Sequence, residues 1–448
     1  MLVRKIEKQI TEWIAEGKKA LLIDGARQVG KTYSIRKCLK SSGVDYIEIN
    51  LIENEDALKA FSMSRSIQDL TVNLSASTGH NFIKGETILF IDEVQEFKEI
   101  ITMIKFWVDD GSYRFILSGS LLGVELKGLR SAPVGYVHEI SMFPLDFEEF
   151  AMASGITEST FDHIRKCFFE KKPVGDLVHN KAMQLFQRYL VVGGMPQAVK
   201  EYIESGNMGK ISEIHADILN FYKRDFSKYE DDNKKLMLTN IYDLIPAQLL
   251  KQNRRFNYVD IKKGLRYEQV ESSFLWLYKA GVVLPAFNTT EPKVALKLNE
   301  KSSLVKLYYS DVGLLTYVCG EALRREILYG NTSVNLGGIY ENAVIQELHC
   351  HGFNVYYYNS KKLGELDFVI EHDGSVLPIE VKSGKDYYIH SAINNVMNIP
   401  DFNVPESVVF TGYDVSKSDR TIYYPVYMSS FIRKDNDTPI ILDPIIFK

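Results

Sequence analysis

The chain has 448 residues, is 45% hydrophobic and 25% charged, and carries a formal net charge of -5. That length suggests about three domains with large cores, and a net-acidic chain is no wholesale polyanion binder, so nucleic-acid contact would have to come from local basic patches. Cys38, Cys167, Cys319 and Cys350 lack the pairing or spacing of a disulfide framework or metal site and read as reduced thiols of a cytoplasmic protein, and no apolar run is long enough to span a bilayer.

The first residues, Met1 to Lys8, read as the start of an amphipathic helix rather than a signal peptide. Val3, Ile6, Ile10, Trp13 and Ile14 recur at helical spacing, and this helix is expected to pack on the strand that follows it. That strand is the apolar run Ala20-Leu21-Leu22-Ile23. It leads into Gly25-Ala26-Arg27-Gln28-Val29-Gly30-Lys31-Thr32-Tyr33 and then a helical pattern through Ile35 and Leu39. Strand, glycine loop and helix with the spacing Gly-x4-Gly-Lys-Thr predict a phosphate-binding loop. Glycines let the backbone curl until several N–H groups face a phosphate, and the helix N-terminus adds partial positive charge. Lys31 can reach the β- and γ-phosphates, and the Thr32 hydroxyl can hold Mg²⁺. Residues 25–33 are therefore the expected nucleotide contacts.

A second strand is expected at Tyr46–Asn50 and a third over Thr87-Ile88-Leu89-Phe90-Ile91, which ends in Asp92-Glu93. A continuous apolar run marks a buried parallel strand, and its carboxyl end delivers side chains to the ligand crevice. Asp92 is placed to hold Mg²⁺ and Glu93 to orient or deprotonate the attacking water. The strand Tyr113–Leu117 ends in Ser118-Gly119-Ser120. Ser118 is either a sensor of the γ-phosphate or the N-cap of a helix starting at Leu121. Arg130 is either an arginine finger for a neighbouring subunit or a solvated side chain. A last strand lies near Val134 to Ile140, and Pro144-Leu145-Asp146-Phe147-Glu148-Glu149-Phe150 opens a helix.

The phosphate loop, the Phe-Ile-Asp-Glu-Val-Gln strand end, the Ser-Gly-Ser and the Pro-Leu-x-Phe-Glu-Glu-Phe together resemble the AAA-type ATPases of bacteria and archaea. In particular they resemble the family that joins such an ATPase to a C-terminal nuclease-like domain of uncharacterised role. The resemblance implies adenine nucleotide, and a P-loop strand flanked by the sensor strand with Asp-Glu on the next one.

From about 151 to 232 helical periodicity dominates, as in Ala182, Leu185, Phe186, Tyr189 and Leu190, and leads into Gly193-Gly194-Met195-Pro196. The Gly-x-Pro resembles the motif of STAND-type signalling ATPases, which implies that Gly194 and Pro196 lie over the nucleotide. Glycine followed by proline is equally the punctuation that stops a helix. In the helix from Asp217 to Asp225, Lys223 and Arg224 are offered to the γ-phosphate or simply to solvent.

Residues 233 to 325 suggest a winged helix: a helix at Leu236–Leu244, a short one at Tyr258–Lys263, a turn at Gly264, a longer helix at Glu268–Ala280, then strands near 282–287, 294–298 and 304–309. Lys251, Arg254, Arg255, Lys262, Lys263 and Arg266 form a candidate phosphate-contact patch. In related ATPases such a module also serves as a cover over the nucleotide domain.

Beyond residue 330 a helix from Ile339 to His349 carries Glu341 on the edge of a buried stripe, where an acid needs a partner. A strand at Phe353–Tyr358 is followed by Gly364–Ile370, a turn at Asp373-Gly374 and a return strand through Glu380-Val381-Lys382. Strand alternation puts Asp367, Glu380 and Lys382 on one face. Carboxylates grouped with Glu341 would bind Mg²⁺ or Mn²⁺ through hard oxygen ligands, with Lys382 steadying the charge of the transition state or helping to deprotonate the water. This hairpin resembles the restriction-endonuclease-type PD-(D/E)xK core, with Leu366 in place of its proline. Strands near 407–411 and 421–427 complete the sheet, and residues 435–448 extend beyond it.

The fold class expected is α/β: a P-loop NTPase parallel sheet over 1–150, a helical lid, a winged helix, and an α/β restriction-endonuclease-like domain over 330–448. The expected function is ATP binding and hydrolysis coupled to DNA processing, with a second Mg²⁺ or Mn²⁺ at Glu341, Asp367 and Glu380, and with homo-oligomers open. The alternative is a STAND-like switch whose C-terminal domain binds DNA or a partner without cutting.

Overall fold

The computed structural model describes residues 2–120, 135–228, 232–251, 254–330 and 336–434. Arg130, the helix anticipated from Leu121 and residues 435–448 lie outside the described residues. The chain forms two compact units, each discontinuous in sequence. One comprises Met1–Leu145, Met195–Leu238 and Ser272–Val283, the other Asp146–Gly194, Thr239–Glu271 and Leu284–Lys448. They do not follow the four consecutive segments anticipated above.

The first unit is built on five strands, β1 (Ala20–Asp24), β2 (Tyr46–Asn50), β3 (Ile88–Asp92), β4 (Arg114–Ser118) and β5 (Val137–Ser141). They pair in the order β2-β3-β4-β1-β5, all parallel. β3 is buried along its whole length, which is why it reads as an unbroken apolar run. The register pairs Ile23 with Ser118 and Ile91 with Leu117. The carboxyl ends of β1, β4 and β3 therefore lie side by side, and Gly25, Ser118 and Asp92 emerge at one edge. This is the strand order that the resemblance implied. In the core on one face of the sheet Trp107 stacks on Phe115 and Phe61 packs against Trp107 at a tilt.

The N-terminal helix, Ile6–Glu16, packs chiefly on the Lys31–Ser42 helix rather than on β1 as expected. Glu7 pairs with Lys37 at 2.7 Å. β1 is a central strand flanked by β4 and β5, and the helix caps the neighbouring layer instead.

The second unit holds an eight-stranded mixed sheet: β6 (Val283–Thr289), β7 (Glu300–Tyr309), β8 (Tyr356–Ser360), β9 (Gly364–His372), β10 (Ser375–Val381), β11 (Ser407–Thr411), β12 (Ser416–Ser418) and β13 (Thr421–Pro425). Their order is β12-β13-β11-β10-β9-β8-β6-β7. β9 and β10 form the expected antiparallel hairpin, with Phe368 opposite Ile379. Its turn residues Asp373 and Gly374 both have positive φ, 48° and 71°, as a tight hairpin turn requires. The Gly337–Cys350 helix is buried from Gly337 through His349. Gly338 admits the Leu249 backbone so closely that a Cβ there would lie 2.6 Å from its carbonyl oxygen.

The winged-helix expectation is changed in detail. The short helix anticipated at Tyr258–Lys263 is only a 3-10 turn, Tyr258–Asp260, and the strand anticipated near 294–298 is another, Leu296–Asn299. β6 and β7 are neighbours, but β6 also pairs in parallel with β8, Phe287 facing Tyr356. The hairpin is thus part of the C-terminal sheet and not a free-standing wing. Val283, Leu284, Pro285 and Ala286 are all buried, a pattern suited to an internal strand rather than to an exposed wing. Among the described residues no helix is long and apolar enough to cross a membrane.

Candidate functional site

The phosphate loop starts where β1 ends. Gly25 has φ +137°, and a Cβ there would meet the Met142 carbonyl oxygen at 2.2 Å, so only glycine lets the chain turn here. Gly30 (φ +99°) opens the Lys31–Ser42 helix. Ala26 and Val29 are buried, which leaves their backbone as their contribution. The loop is held from behind by Arg4, whose guanidinium donates to the carbonyls of Val29 (2.8 Å) and Phe143 (2.7 Å).

Lys31 Nζ donates to the carbonyls of Gly25 (2.8 Å) and Ala26 (2.9 Å). Burial pulls its pKa down to about 8, against the opposing pull of Glu93, Asp92 and Asp24. The Thr32 hydroxyl donates to Asp92 Oδ2 at 2.8 Å. Asp92 Oδ1 accepts from the Glu93 N–H at 3.1 Å and from the Ser118 hydroxyl. Glu93 turns off the strand with φ +58°, and its carboxylate is held by Gln95 Nε2.

Lys31, Thr32, Glu93, Ser120 and Pro196 share one cleft of about 750 Å³, within the size range of ligand sites. Gln28 and Tyr33 line it as well, Tyr33 being half exposed. Pro196, at the first turn of the Pro196–Ser205 helix, lies over the loop: its Cγ is 3.6 Å from where a Gly30 Cβ would be.

Two expectations shift. Ser118 faces Asp92 and does not line the cleft; Ser120, two residues on, does, and its buried hydroxyl has no partner among the described residues. In the Asp217–Asp225 stretch Asp225 meets the loop, ion-paired to Arg27 at 2.7 Å, while Arg224 lies over Phe221. Tyr222 donates to the Arg27 carbonyl at 3.3 Å. Nothing in the sequence singles out Arg4 or Asp225, since their partners lie far away along the chain.

The second unit gathers the other predicted residues. Glu341, fully buried, accepts the Tyr308 hydroxyl at 3.0 Å. Asp367 Oδ2 accepts the Val381 N–H at 2.9 Å, which ties β9 to β10. Glu380 lies 3.0 Å from Lys382 Nζ. Burial, then Asp367, push the Glu380 carboxyl up to about 8. Burial works against the Lys382 charge, but Glu380 and Asp367 outweigh it and hold its pKa above the ordinary value.

Arg254 is the unexpected member of this cluster. Its guanidinium pairs with Glu341 and lies 3.7 Å from Asp367 Oδ1. It was assigned above to a surface patch, but a buried Glu341 demands a cation, and Arg254 provides it. Lys251 stays at the surface but is paired with Asp260 at 2.5 Å. Arg255, Lys262, Lys263 and Arg266 remain exposed.

Comparison with known proteins agrees with this geometry at the N-terminal end. Residues 17–151 match the AAA domain family. The chain carries an AAA-type P-loop ATPase domain, and its enzymatic activity is that of an ATPase. Residues 183–324 and 336–428 match two domains of unknown function, DUF8612 and DUF4143. No curated protein matches the chain. Among solved structures it is similar to the Walker-type ATPase PABY2304 of Pyrococcus abyssi, at 16% identity over 71% of this chain and 96% of that one, with a TM-score of 0.45. It is more remotely similar to the Orc1 protein of Aeropyrum pernix in complex with DNA, at 13% identity over 73% and 95%, with a TM-score of 0.28.

Proposed function

We propose that the AAA domain hydrolyses ATP and that this turnover governs a metal-dependent, nuclease-like centre acting on DNA. The observation that carries the second half is the convergence of Glu341, Asp367, Glu380 and Lys382, drawn from a helix and a hairpin, in a chain that also holds an ATPase site.

At the first site, hard oxygens of the Thr32 hydroxyl and the Asp92 carboxylate adjoin, a donor set that suits Mg²⁺. When bound, Mg²⁺ offsets charge on the β- and γ-phosphates. Gly25 to Tyr33 supply the backbone cradle, and Lys31 exchanges its carbonyl partners for phosphate oxygens. Ser118 keeps Asp92 oriented, and Glu93 positions the attacking water. Pro196 borders the adenine side.

At the second site Glu341, Asp367 and Glu380 offer hard oxygens for Mg²⁺ or Mn²⁺, which would activate water for phosphodiester hydrolysis. Lys382 stands where it stabilises developing negative charge. The exposed Arg255, Lys262, Lys263 and Arg266 supply phosphate contacts. Incubation with supercoiled plasmid and Mn²⁺, with and without ATP, tests this reading: the wild type nicks and Asp367→Ala does not. Absence of nicking in every metal and nucleotide state removes it.

Arg254 favours a second reading. With a guanidinium paired to Glu341, the cluster already holds a cation, and the centre then binds DNA or a partner under nucleotide control without cutting it. ATP turnover with DNA retention in a gel shift but no nicking identifies this case.

A further inference from the structure

Apart from these two sites, Asp146, Glu347 and His351 meet in the interior of the second unit. Their side chains are 5%, 0% and 6% exposed. Asp146 caps the Phe147–Ala153 helix, its Oδ1 accepting the Glu149 N–H at 2.8 Å. Glu347 Oε1 accepts the Phe147 N–H at 2.7 Å. His351 stands one helical turn after Glu347, on the same face.

The histidine decides the matter. Its Nδ1 lies 2.7 Å from the Ile432 carbonyl oxygen. A carbonyl only accepts, so Nδ1 carries the proton. Nε2 is left buried without a hydrogen-bond partner among the described residues. It points at Asp146 Oδ2 (3.5 Å) and Glu347 Oε2 (3.8 Å). A nitrogen lone pair facing two carboxylate oxygens is repulsive unless a metal cation or a proton sits among them.

We propose that Asp146, Glu347 and His351 form a binding site for a divalent cation of the first transition series, zinc foremost. One imidazole with two carboxylates suits such ions, whereas Mg²⁺ and Ca²⁺ prefer oxygen alone. The two separations from Nε2, 3.5 and 3.8 Å, approach the edge of a tetrahedron with zinc-length bonds, about 3.3–3.6 Å, and all three ligand atoms lie within 4.8 Å of one another. Each ligand's second polar atom is held by a backbone group, the outer-shell arrangement that orients metal ligands. The ion would join the start of the Phe147–Ala153 helix to the end of the Gly337–Cys350 helix. This site depends on neither the ATPase nor the nuclease-like reading.

The competing resolution is a second proton on His351, which makes an imidazolium between the carboxylates. Full-length protein prepared without chelator, then dialysed, is assayed for metal by plasma mass spectrometry. About one zinc per chain is expected, retained in Lys31→Ala and Asp367→Ala and lost in His351→Gln and Glu347→Gln. Should those two variants fail to fold, wild-type protein loaded with Co²⁺ shows the visible bands of a low-coordinate site, and stripping the metal lowers its melting temperature. A wild type that retains no zinc and shows neither Co²⁺ bands nor a zinc-dependent melting shift overturns the proposal. So does zinc held equally by folded His351→Gln and Glu347→Gln.

Discussion

Replacing Arg254 with alanine probes the second carboxylate cluster most directly. Glu341 is fully buried, Arg254 is one-fifth exposed, and the guanidinium also lies 3.7 Å from Asp367. Removing one partner of a buried pair strands the other charge, at a cost of about 3–5 kcal/mol. Coulomb attraction alone is not the measure, because the pair was desolvated to form. The loss is therefore expected in full in chelator, read as a lower urea midpoint. The same substitution empties the place a metal would take. Mn²⁺ at a hundred times its dissociation constant should restore about 2.7 kcal/mol. Wild-type protein should respond less, because Arg254 competes with the metal. Adding Asp367→Ala to the Arg254 variant should abolish the Mn²⁺ response. The reasoning fails if Arg254→Ala is as stable as wild type in chelator, or if Mn²⁺ leaves its midpoint unmoved.

Other predictions concern single groups. Lys31→Ala should remove the heat of ATP·Mg titration, and Thr32→Ala should weaken the Mg²⁺-dependent part of it; calorimetry checks both. Because the Glu380 carboxyl is pushed up to about 8, a metal entering that cluster displaces a proton. Apparent Mn²⁺ affinity should fall about tenfold per pH unit below 8, measured by titration at pH 6, 7 and 8. Burial raises Asp311, which accepts the Gly194 N–H at 2.6 Å, to about 6 from 3.8. Its native form therefore holds a proton that the unfolded form has lost. That contribution is full below pH 3.8 and gone above about 6, a change of about 3 kcal/mol. Urea midpoints across pH 4–7 should show this slope in wild type and lack it in Asp311→Ala.

Much of the ATPase domain was legible because local rules and long-range packing agree there. Gly25 and Gly30 are needed for their dihedrals, and Asp92 ends a strand whose burial shows in its composition. The Asp367–Lys382 hairpin was legible for the same reason: alternation and an Asp-Gly turn set its register. Ser120 was not singled out beside Ser118, because a motif fixes neither which serine hydroxyl turns back to Asp92 nor which faces the cleft. Arg254 was misplaced because an arginine among other basic residues looks solvated, and its burial depends on an acid 87 residues away. Asp146 caps the helix that Pro144 to Phe150 was expected to open, but nothing local tells that Glu347 and His351 arrive beside it.

The parallel pairing of β6 with β8 has a practical corollary. The similarity of residues 336–428 to a single domain of unknown function invites expressing that piece alone. Cut there, β8 would keep β9 but lose β6 on its other side, and would present there a bare row of amides and carbonyls with buried aromatics such as Tyr356 and Tyr358 beside it. Unprotected strand margins of this kind recruit other chains and precipitate. A workable truncation has to begin before Val283, so the limit drawn by kinship is not the limit drawn by folding.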